Sequence, residues 1–506
     1  LPPGELLGAS HEAGHRLRGR DFPAPAETRD HKVVIIGGGI AGLAAAWRLL
    51  RAGFSDFRVL ELEADAGGSA RYGTNAVSPY PWGAHYVTLT PPEAVHVREL
   101  LADLGVIAGN PLAARPRYEE RYLCHDPQER LYRNGMWQEG LLPEIAARDE
   151  DRRQYRRFHE LMDAFKARRG RGGRKAFAIP VAESAPDPEL TALDRMTMRE
   201  FLLGNGLDSE PLHWYVNHAC RDDFGAGLGE TSAWAGVHYF ACRDADAENA
   251  DHGTVLTWPE GNGWVVKQLA ARLDTRIVTH AAVHRVRDAG RRVEVDYFKL
   301  DEGRAVRVRA ARAIFAAPMF LVPYLLEGAP TALVTAARAF QYAPWLVANL
   351  TLKAAPVDRA GAPLAWDNVI YDSPGIGYVV ATHQALRTAP GPTVLTYYLP
   401  LSGQPPAAAR ERLLAAPRDE WVEAILADLA RPHPDIRDLV TRLDVFRWGH
   451  AMVRPVPGFV WSRARTAFSA PHGRVHFAHS DLSGMSLFEE AVYWGGRAAE
   501  AVLRAL

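Results

Sequence analysis

Cysteine is nearly absent from this 506-residue chain: only Cys124, Cys220 and Cys242 occur, far apart and odd in number. No C-x-x-C pair and no Cys/His spacing of the metal-binding kind accompanies them, so the three read as buried thiols and no metal site is expected. An excess charge of one sign is also missing. Lys and Arg total 59 against 60 Asp and Glu, a net charge of −1, which supplies no general field for nucleic acid or an anionic membrane. Long apolar runs are absent as well. The longest, Val33 to Trp47, is rich in glycine and falls short of the ~20 residues a bilayer requires, so no transmembrane segment is expected. There is no internal repeat and no long low-complexity tract. The chain starts at Leu1 rather than at methionine; this fits a cytoplasmic protein cut at a cloning boundary and an exported one freed of its signal peptide equally well, and the compartment stays open.

What is present is ordinary globular composition, 47% hydrophobic and 24% charged, over a length that calls for two consecutive or interwoven domains. Residues 1–30, punctuated by proline and glycine, read as an extended arm. From Lys32 the order changes to strand, glycine turn and helix in "KVVIIGGGIAGLAAAWRLL", then a second strand in "DFRVLELE", the start of a βαβ unit. Asn134-Gly135 between two strand-like runs signals a type I′ hairpin. In "RRQYRRFHELMDAFKARRGRGGRK", Tyr155, Phe158, Met162 and Phe165 form one stripe of an amphipathic surface helix, followed by a solvated basic loop, Arg168 to Lys175. "TRIVTHAAVHRVRDAGRRVEVDYF" reads as strand, turn, strand, and "ARAIFAAP" as a buried strand ending at Pro318. Strands are also read in "WLVANLTL" and "PTVLTYYLP". The tail is a short strand, a turn and a long helix with Phe488, Val492, Gly495, Ala499, Val502 and Leu506 on its inner face.

The glycine turn carries the first functional signal. Gly37, Gly39 and Gly42, with Ile40 and Ala41 opening the helix, make a G-x-G-x-x-G in the strand–turn–helix setting where a dinucleotide pyrophosphate lies over a helix N-terminus. Glu61 stands nineteen residues after Gly42 at the end of the second strand, placed with Leu62 to meet ribose hydroxyls. Gly67, Gly68 and Arg71 then follow: a second close backbone approach and a charge to offset phosphate. A longer ligand held at two turns is implied, rather than NAD.

The blocks "VVIIGGGIAGLAAAWRLL", "VLELEADAGGSAR", "YPWGAHYV", "WPEGNGWVVKQLAARL", "RAIFAAP" and "GRVHFAHSDLSGMSLFEEAVYWGGRAAEAVL", in that order, resemble the flavin-containing amine oxidase and phytoene desaturase superfamily. The resemblance implies an α/β fold in which a Rossmann-like FAD-binding domain (31–115, 250–320 and 445–506) interleaves with a substrate domain of mixed sheet plus helices (116–249 and 321–444). It implies non-covalent FAD, held by the residues above and by Gly83, Ala84 and His85 against the flavin, Val283 at the adenine, and the block Ser483, Gly484, Met485 bringing the last helix to the ring. Where the family has an acidic residue this chain offers Ser480, with Asp481 one place later. Where amine oxidases keep a lysine, "WLVANLTL" offers Asn349, with Lys353 at its end. Candidate substrate-site residues are His85, Trp448, His450, Tyr493 and Trp494; two facing aromatics would grip an amine through cation–π contact.

The expected activity is an FAD-dependent oxidoreductase taking a hydride from a small molecule, foremost an amine, onto flavin N5, with oxygen or another acceptor restoring the flavin. A desaturase or redox-neutral isomerase acting on a lipid-like or cyclic substrate is the alternative, and a protein holding FAD only structurally a third. Assembly as a homo-oligomer is left open.

Overall fold

In a computed structural model describing residues 1–19, 21–385 and 391–506, the chain is built on two large sheets. Position 20 of the expected arm and positions 386–390 of the expected substrate domain lie outside the described residues. The first sheet centres on Glu27–Ile36, flanked in parallel by Phe57–Leu60 and Arg304–Phe315. Ile277–Val278 extends it beyond Phe57–Leu60, and Val475–Phe477 lies parallel to the end of Arg304–Phe315. An antiparallel meander, Ala281–Asp288, Val293–Lys299 and Arg304–Phe315, completes it. Val33 to Ile36 are all buried, as expected of a parallel strand covered on both faces.

The helix Ile40–Arg51 follows the glycine turn, and the closing helix Phe488–Ala505 packs along it. Their approach depends on Gly495, where a Cβ would stand 2.3 Å from the carbonyl oxygen of Ala41. The two ends of the chain therefore share one core. On the closing helix Phe488, Val492, Ala499 and Val502 are buried, whereas Leu506, expected on the same face, is 51% exposed because it is the chain's last residue, past the end of the helix.

The second sheet is mixed. Its order is Leu6–Gly8, Val440–Val453, Tyr342–Leu352, Thr393–Pro400, Gly377–Val380, Asp367–Ile370, Glu129–Arg133 and Met136–Glu139. The last two strands form the hairpin read from Asn134-Gly135, both of which have positive φ (52° and 82°) as a type I′ turn requires. Helices Asp149–Ala167, Glu210–Phe224 and Ala233–Ala241 pack together beside this sheet. Tyr155, Phe158 and Met162 are buried in their shared core. The basic loop after the first of these helices spends much of its charge internally, Lys175 pairing with Glu93 and Asp244 and Arg174 with Glu183.

Two expectations need correction. The arm is structured rather than extended: Leu6–Gly8 adds a parallel edge strand to the second sheet, His11–Gly19 is helical with Leu17 buried, and the first long strand begins at Glu27. The boundary expected at residue 445 falls inside Val440–Val453, a strand of the second sheet that runs on to the junction with the first.

Candidate functional site

Two adjoining cavities lie between the sheets. The longer encloses about 1420 Å³, its open mouth included. Its wall contains Gly37, Gly39, Ile40, Ala41, Glu61, Leu62, Gly67, Gly68, Ala84, Val283, Ser480 and Asp481, which the sequence scatters over 445 positions from Gly37 to Asp481.

Close packing requires glycine at two of these turn positions. Gly37 has φ 103°, and a Cβ on it would stand 2.8 Å from the Ala316 carbonyl oxygen. Gly42 does not face the cavity; a Cβ on it would sit 1.9 Å from the Gly37 carbonyl oxygen, so its part is to let the helix close onto the turn. Gly39 precedes the first helical turn with extended backbone, and no side chain caps the helix. Its free N–H groups and the positive end of the helix dipole are thus left to whatever occupies the cavity. Glu61 is buried; its carboxylate accepts from the backbone N–H of Gly38 at 2.7 Å and of Glu63 at 2.8 Å. Burial raises its pKa, with those two donors opposing the rise. Lone pairs remain on both oxygens for hydroxyl donors.

Asp481 is fully buried. Its Oδ2 accepts from the Met319 N–H at 2.9 Å and the Tyr342 hydroxyl at 2.5 Å. Its Oδ1 makes no hydrogen bond, although His479 Nδ1 lies 3.1 Å away. Burial alone would raise this carboxyl, but His479, Tyr342 and the Met319 N–H outweigh it and hold the pKa below its ordinary value. A glycine-lined cradle, an uncapped helix, and two buried carboxylates with spare acceptor capacity fit a dinucleotide cofactor.

The second cavity, about 960 Å³ with its opening, shares Ser69, Ala84, Asn262, Trp448, Ala451 and Ser486 to Phe488 with the first. Aromatic groups dominate it. His85 stacks on Tyr398 at 4.5 Å, and the Tyr398 hydroxyl donates to the Gly83 carbonyl at 2.8 Å. Burial lowers the His85 pKa to about 4, so this ring is neutral at pH 7. Trp448 lies at the junction, its Nε1–H donating to the Trp82 carbonyl at 2.7 Å. Trp345 and Val347 of the second sheet, with Met452, complete the apolar wall.

Opposite them stand polar and charged groups that sequence reading missed: Asp222 and Asp223 at the end of Glu210–Phe224, Arg243, Tyr86, and Glu489 in the first turn of the closing helix. Arg243 Nη2 donates to Asp223 at 3.0 and 3.2 Å and to the Tyr86 hydroxyl at 3.2 Å. Glu489 accepts from the Thr88 hydroxyl at 2.9 Å. A usable signal did exist. Glu489 and Glu490 interrupt an otherwise apolar helix start, and carboxylates inside a buried stripe are seldom structural filler.

Other expected site residues sit elsewhere. Arg71 lies outside both linings and pairs with Glu63, which does line the long cavity, at 3.3 Å. Ser483, Gly484 and Met485 lie behind the wall: Met485 is in the helical core, Ser483 bonds Glu490 and Trp494, and Gly484 makes the left-handed turn (φ 74°) that redirects the chain. The next residues, Ser486 to Phe488, reach the junction instead. Tyr493 and Trp494 belong to the core, since residues five and six places into the helix point away from its N-terminal opening; Trp494 Nε1–H donates to Ser483 at 2.8 Å, and Tyr493 meets His96 edge-on. His450 lines the long cavity rather than the aromatic one, stacked on Phe320 at 4.5 Å. Asn349 is buried between the Pro81 carbonyl and the Thr396 hydroxyl, and Lys353 lies one residue past the end of its strand, Tyr342–Leu352; neither lines either cavity. Among the described residues no cluster of His, Cys, Asp and Glu is arranged to hold a metal, and no helix is long and apolar enough to cross a membrane.

The pattern of the flavin-containing amine oxidoreductases matches residues 40–503. The chain belongs to that family. It is accordingly an FAD-dependent oxidoreductase. A 96-residue stretch is 40% identical to the peroxisomal N(1)-acetyl-spermine/spermidine oxidase of Bos taurus; the match spans 19% of this chain and only 18% of that protein. Over nearly the whole fold the chain is similar to wild-type putrescine oxidase bound to putrescine (TM-score 0.70, 18% identity, 94% of this chain and 100% of that one). It is also similar to the cyclohexylamine oxidase of Brevibacterium oxydans IH-35A (TM-score 0.66, 18% identity, 94% and 99%).

Proposed function

We propose that the protein oxidises a small amine, with FAD held non-covalently in the long cavity and the substrate in the aromatic one. The observation that carries this reading is the junction: a glycine-lined, helix-headed cavity opens through Ala84, Trp448 and Phe488 into a cavity walled by aromatic rings and carboxylates. Bound there, FAD supplies the hydride acceptor, later restored by oxygen or another acceptor. The turn Gly37 to Gly42 and the helix behind it take the pyrophosphate, Glu61 the ribose, Val283 the adenine end, and Ser480 and Asp481 the middle of the cofactor. Ser486 to Phe488 would bring the positive end of the closing helix toward the flavin end of the cofactor, where it would favour negative charge. The FAD-binding part comprises the first sheet with its two long helices, the substrate part the second sheet with its helical annex.

Toward the substrate, Trp448, Trp345 and Tyr398 supply the faces that hold an alkyl chain or an ammonium group. His85, neutral and stacked, adds no positive charge to repel it. Asp222, Asp223 and Glu489 outnumber the single guanidinium of Arg243, a balance that suits a cation and is poorly matched to a fatty acid. The test is anaerobic titration of the yellow protein with putrescine, cyclohexylamine and benzylamine. Bleaching by at least one supports the reading. Bleaching only by a non-amine donor transfers the protein to the desaturase or isomerase class, and a colourless protein unable to take up FAD refutes the assignment of the long cavity. Peroxide released in air distinguishes an oxidase from a dehydrogenase.

A further inference from the structure

Within the aromatic cavity the carboxylates are unequal. Asp223 is spoken for: it takes two hydrogen bonds from Arg243, and the Tyr86 hydroxyl lies 3.4 Å away. Glu489 is satisfied in part by Thr88. Asp222 lines the same cavity, is largely withdrawn from solvent, and forms no salt bridge among the described residues. Arg243 cancels one of the two adjacent aspartates, which leaves one negative charge without a counterion at the wall of a low-dielectric chamber. An uncompensated charge in such a place is costly unless a ligand supplies its partner.

We propose that Asp222 is the residue that receives the substrate's ammonium group and then takes its proton. This rests on the amine reading above and names the group that selects the substrate. In the step, an N–H bond of the ammonium breaks and an O–H bond forms on the Asp222 carboxylate. The electron pair of the broken bond stays on nitrogen as the lone pair, and the amine is left neutral. Oxidation of the carbon beside nitrogen needs that lone pair, so Asp222 both anchors the cation and prepares it.

The groups that face Asp222 support the exchange. Asp223 stands beside it on its own helix; Arg243, Tyr86, Glu129, Asp367, Tyr239 and Tyr398 surround it from the neighbouring elements. Burial first, and Asp223 next, push the Asp222 carboxyl up to about 7, against the pull of Arg243 and Tyr86. Above that value the aspartate pair holds the net negative charge that an ammonium group requires; below it the added proton removes that charge.

The test uses tert-butylamine, which has no α-hydrogen and therefore binds without being oxidised, with tert-butanol as its neutral counterpart. Both are titrated into the FAD-loaded enzyme, and binding is read as a change in the flavin spectrum. Asp222→Asn is expected to weaken tert-butylamine at least about tenfold and to leave tert-butanol and FAD content unchanged. In the wild type, tert-butylamine affinity should fall as pH drops through about 7, and the Asn variant should lose that dependence. Asp222→Glu restores the charge and should recover both the affinity and the pH dependence, which a merely structural role would not do. Should the Asn variant fail to hold FAD, the Glu variant and the wild-type pH profile decide. Equal weakening of both ligands, or a pH profile unchanged in the Asn variant, overturns the role of Asp222. The amine reading fails separately, if no amine bleaches the wild-type flavin.

Discussion

The two cavities share a wall but are specified in different ways. The long one is shaped by backbone: glycines at fixed spacing, an uncapped helix and a carboxylate at a strand end, most of it within Gly37 to Gly68. The aromatic one is shaped by side chains drawn from widely separated segments, including Tyr86, Asp222, Arg243, Trp345, Tyr398, Trp448 and Glu489. A turn that only glycine can make is a property of a short peptide, whereas a chamber of converging side chains is a property of the fold. The first should fail outright when touched, and the second should fail by degrees.

The largest effect is expected at Gly42. Gly42→Ala forces a methyl to 1.9 Å from a backbone carbonyl, at or beyond the ~1–3 kcal/mol of ordinary overpacking; the purified protein should be colourless or insoluble. Gly39→Ala is the sharper half of this pair. A Cβ there meets no protein atom closer than 3.9 Å, so the variant should melt as the wild type does when both are stripped of flavin, yet take up FAD poorly. Equal FAD content would mean that the cofactor does not approach this turn. Glu61→Ala comes next. It leaves the Gly38 and Glu63 N–H groups without their acceptor, ~1–3 kcal/mol for each buried group left unpaired, and removes the partner proposed for the ribose. Weakly held FAD is expected, and a purified variant with undiminished flavin absorbance would contradict the assignment.

Legibility in the sequence follows the same division. The glycine turn, Glu61, the Asn134-Gly135 hairpin and the closing helix are set by neighbours a few places apart, and each could be read from a short window. The N-terminal arm could not. Leu6–Gly8 becomes a strand only by pairing with Val445–Arg447, 439 residues away, and nothing in its own composition announces an edge strand. Asp222, Asp223 and Arg243 likewise carry no motif; they become a site because the helix Glu210–Phe224 ends at the cavity. Tyr493 and Trp494 mislead for the opposite reason. They sit in a block that does reach the long cavity, but helical geometry turns the sixth and seventh residues away from the opening that the first ones form.

On the aromatic side, Trp448→Ala should slow flavin reduction roughly 10- to 100-fold by loosening the substrate, with FAD content unchanged; stopped-flow absorbance checks this, and unaltered kinetics would remove Trp448 from the site. A smaller effect is expected at Glu490, behind the wall. It is fully buried, accepts from the Val181 N–H at 2.7 Å and bonds Ser483, and burial lifts its pKa from 4.5 to about 7. The folded state therefore binds this proton more tightly than the unfolded chain does. The resulting stabilisation is complete below about pH 4.5 and is lost as pH rises through about 7. Glu490→Gln should flatten the fall in melting temperature over that window by a few degrees, and an unchanged slope would show that the carboxyl is already ionised.

The smallest expected effect separates wall from support most finely. Trp494→Phe deletes one buried hydrogen bond, from Nε1 to the Ser483 hydroxyl at 2.8 Å, and puts a smaller aromatic ring in the core; the cost should be about 1–3 kcal/mol of stability. Because the residue lies behind the junction, flavin reduction by an amine should proceed at the wild-type rate. Should the variant melt normally but reduce slowly, the closing helix would have to be passing strain from Ser483 to Phe488, and the division between a backbone-shaped long cavity and a side-chain-shaped aromatic cavity would be too simple at the segment they share.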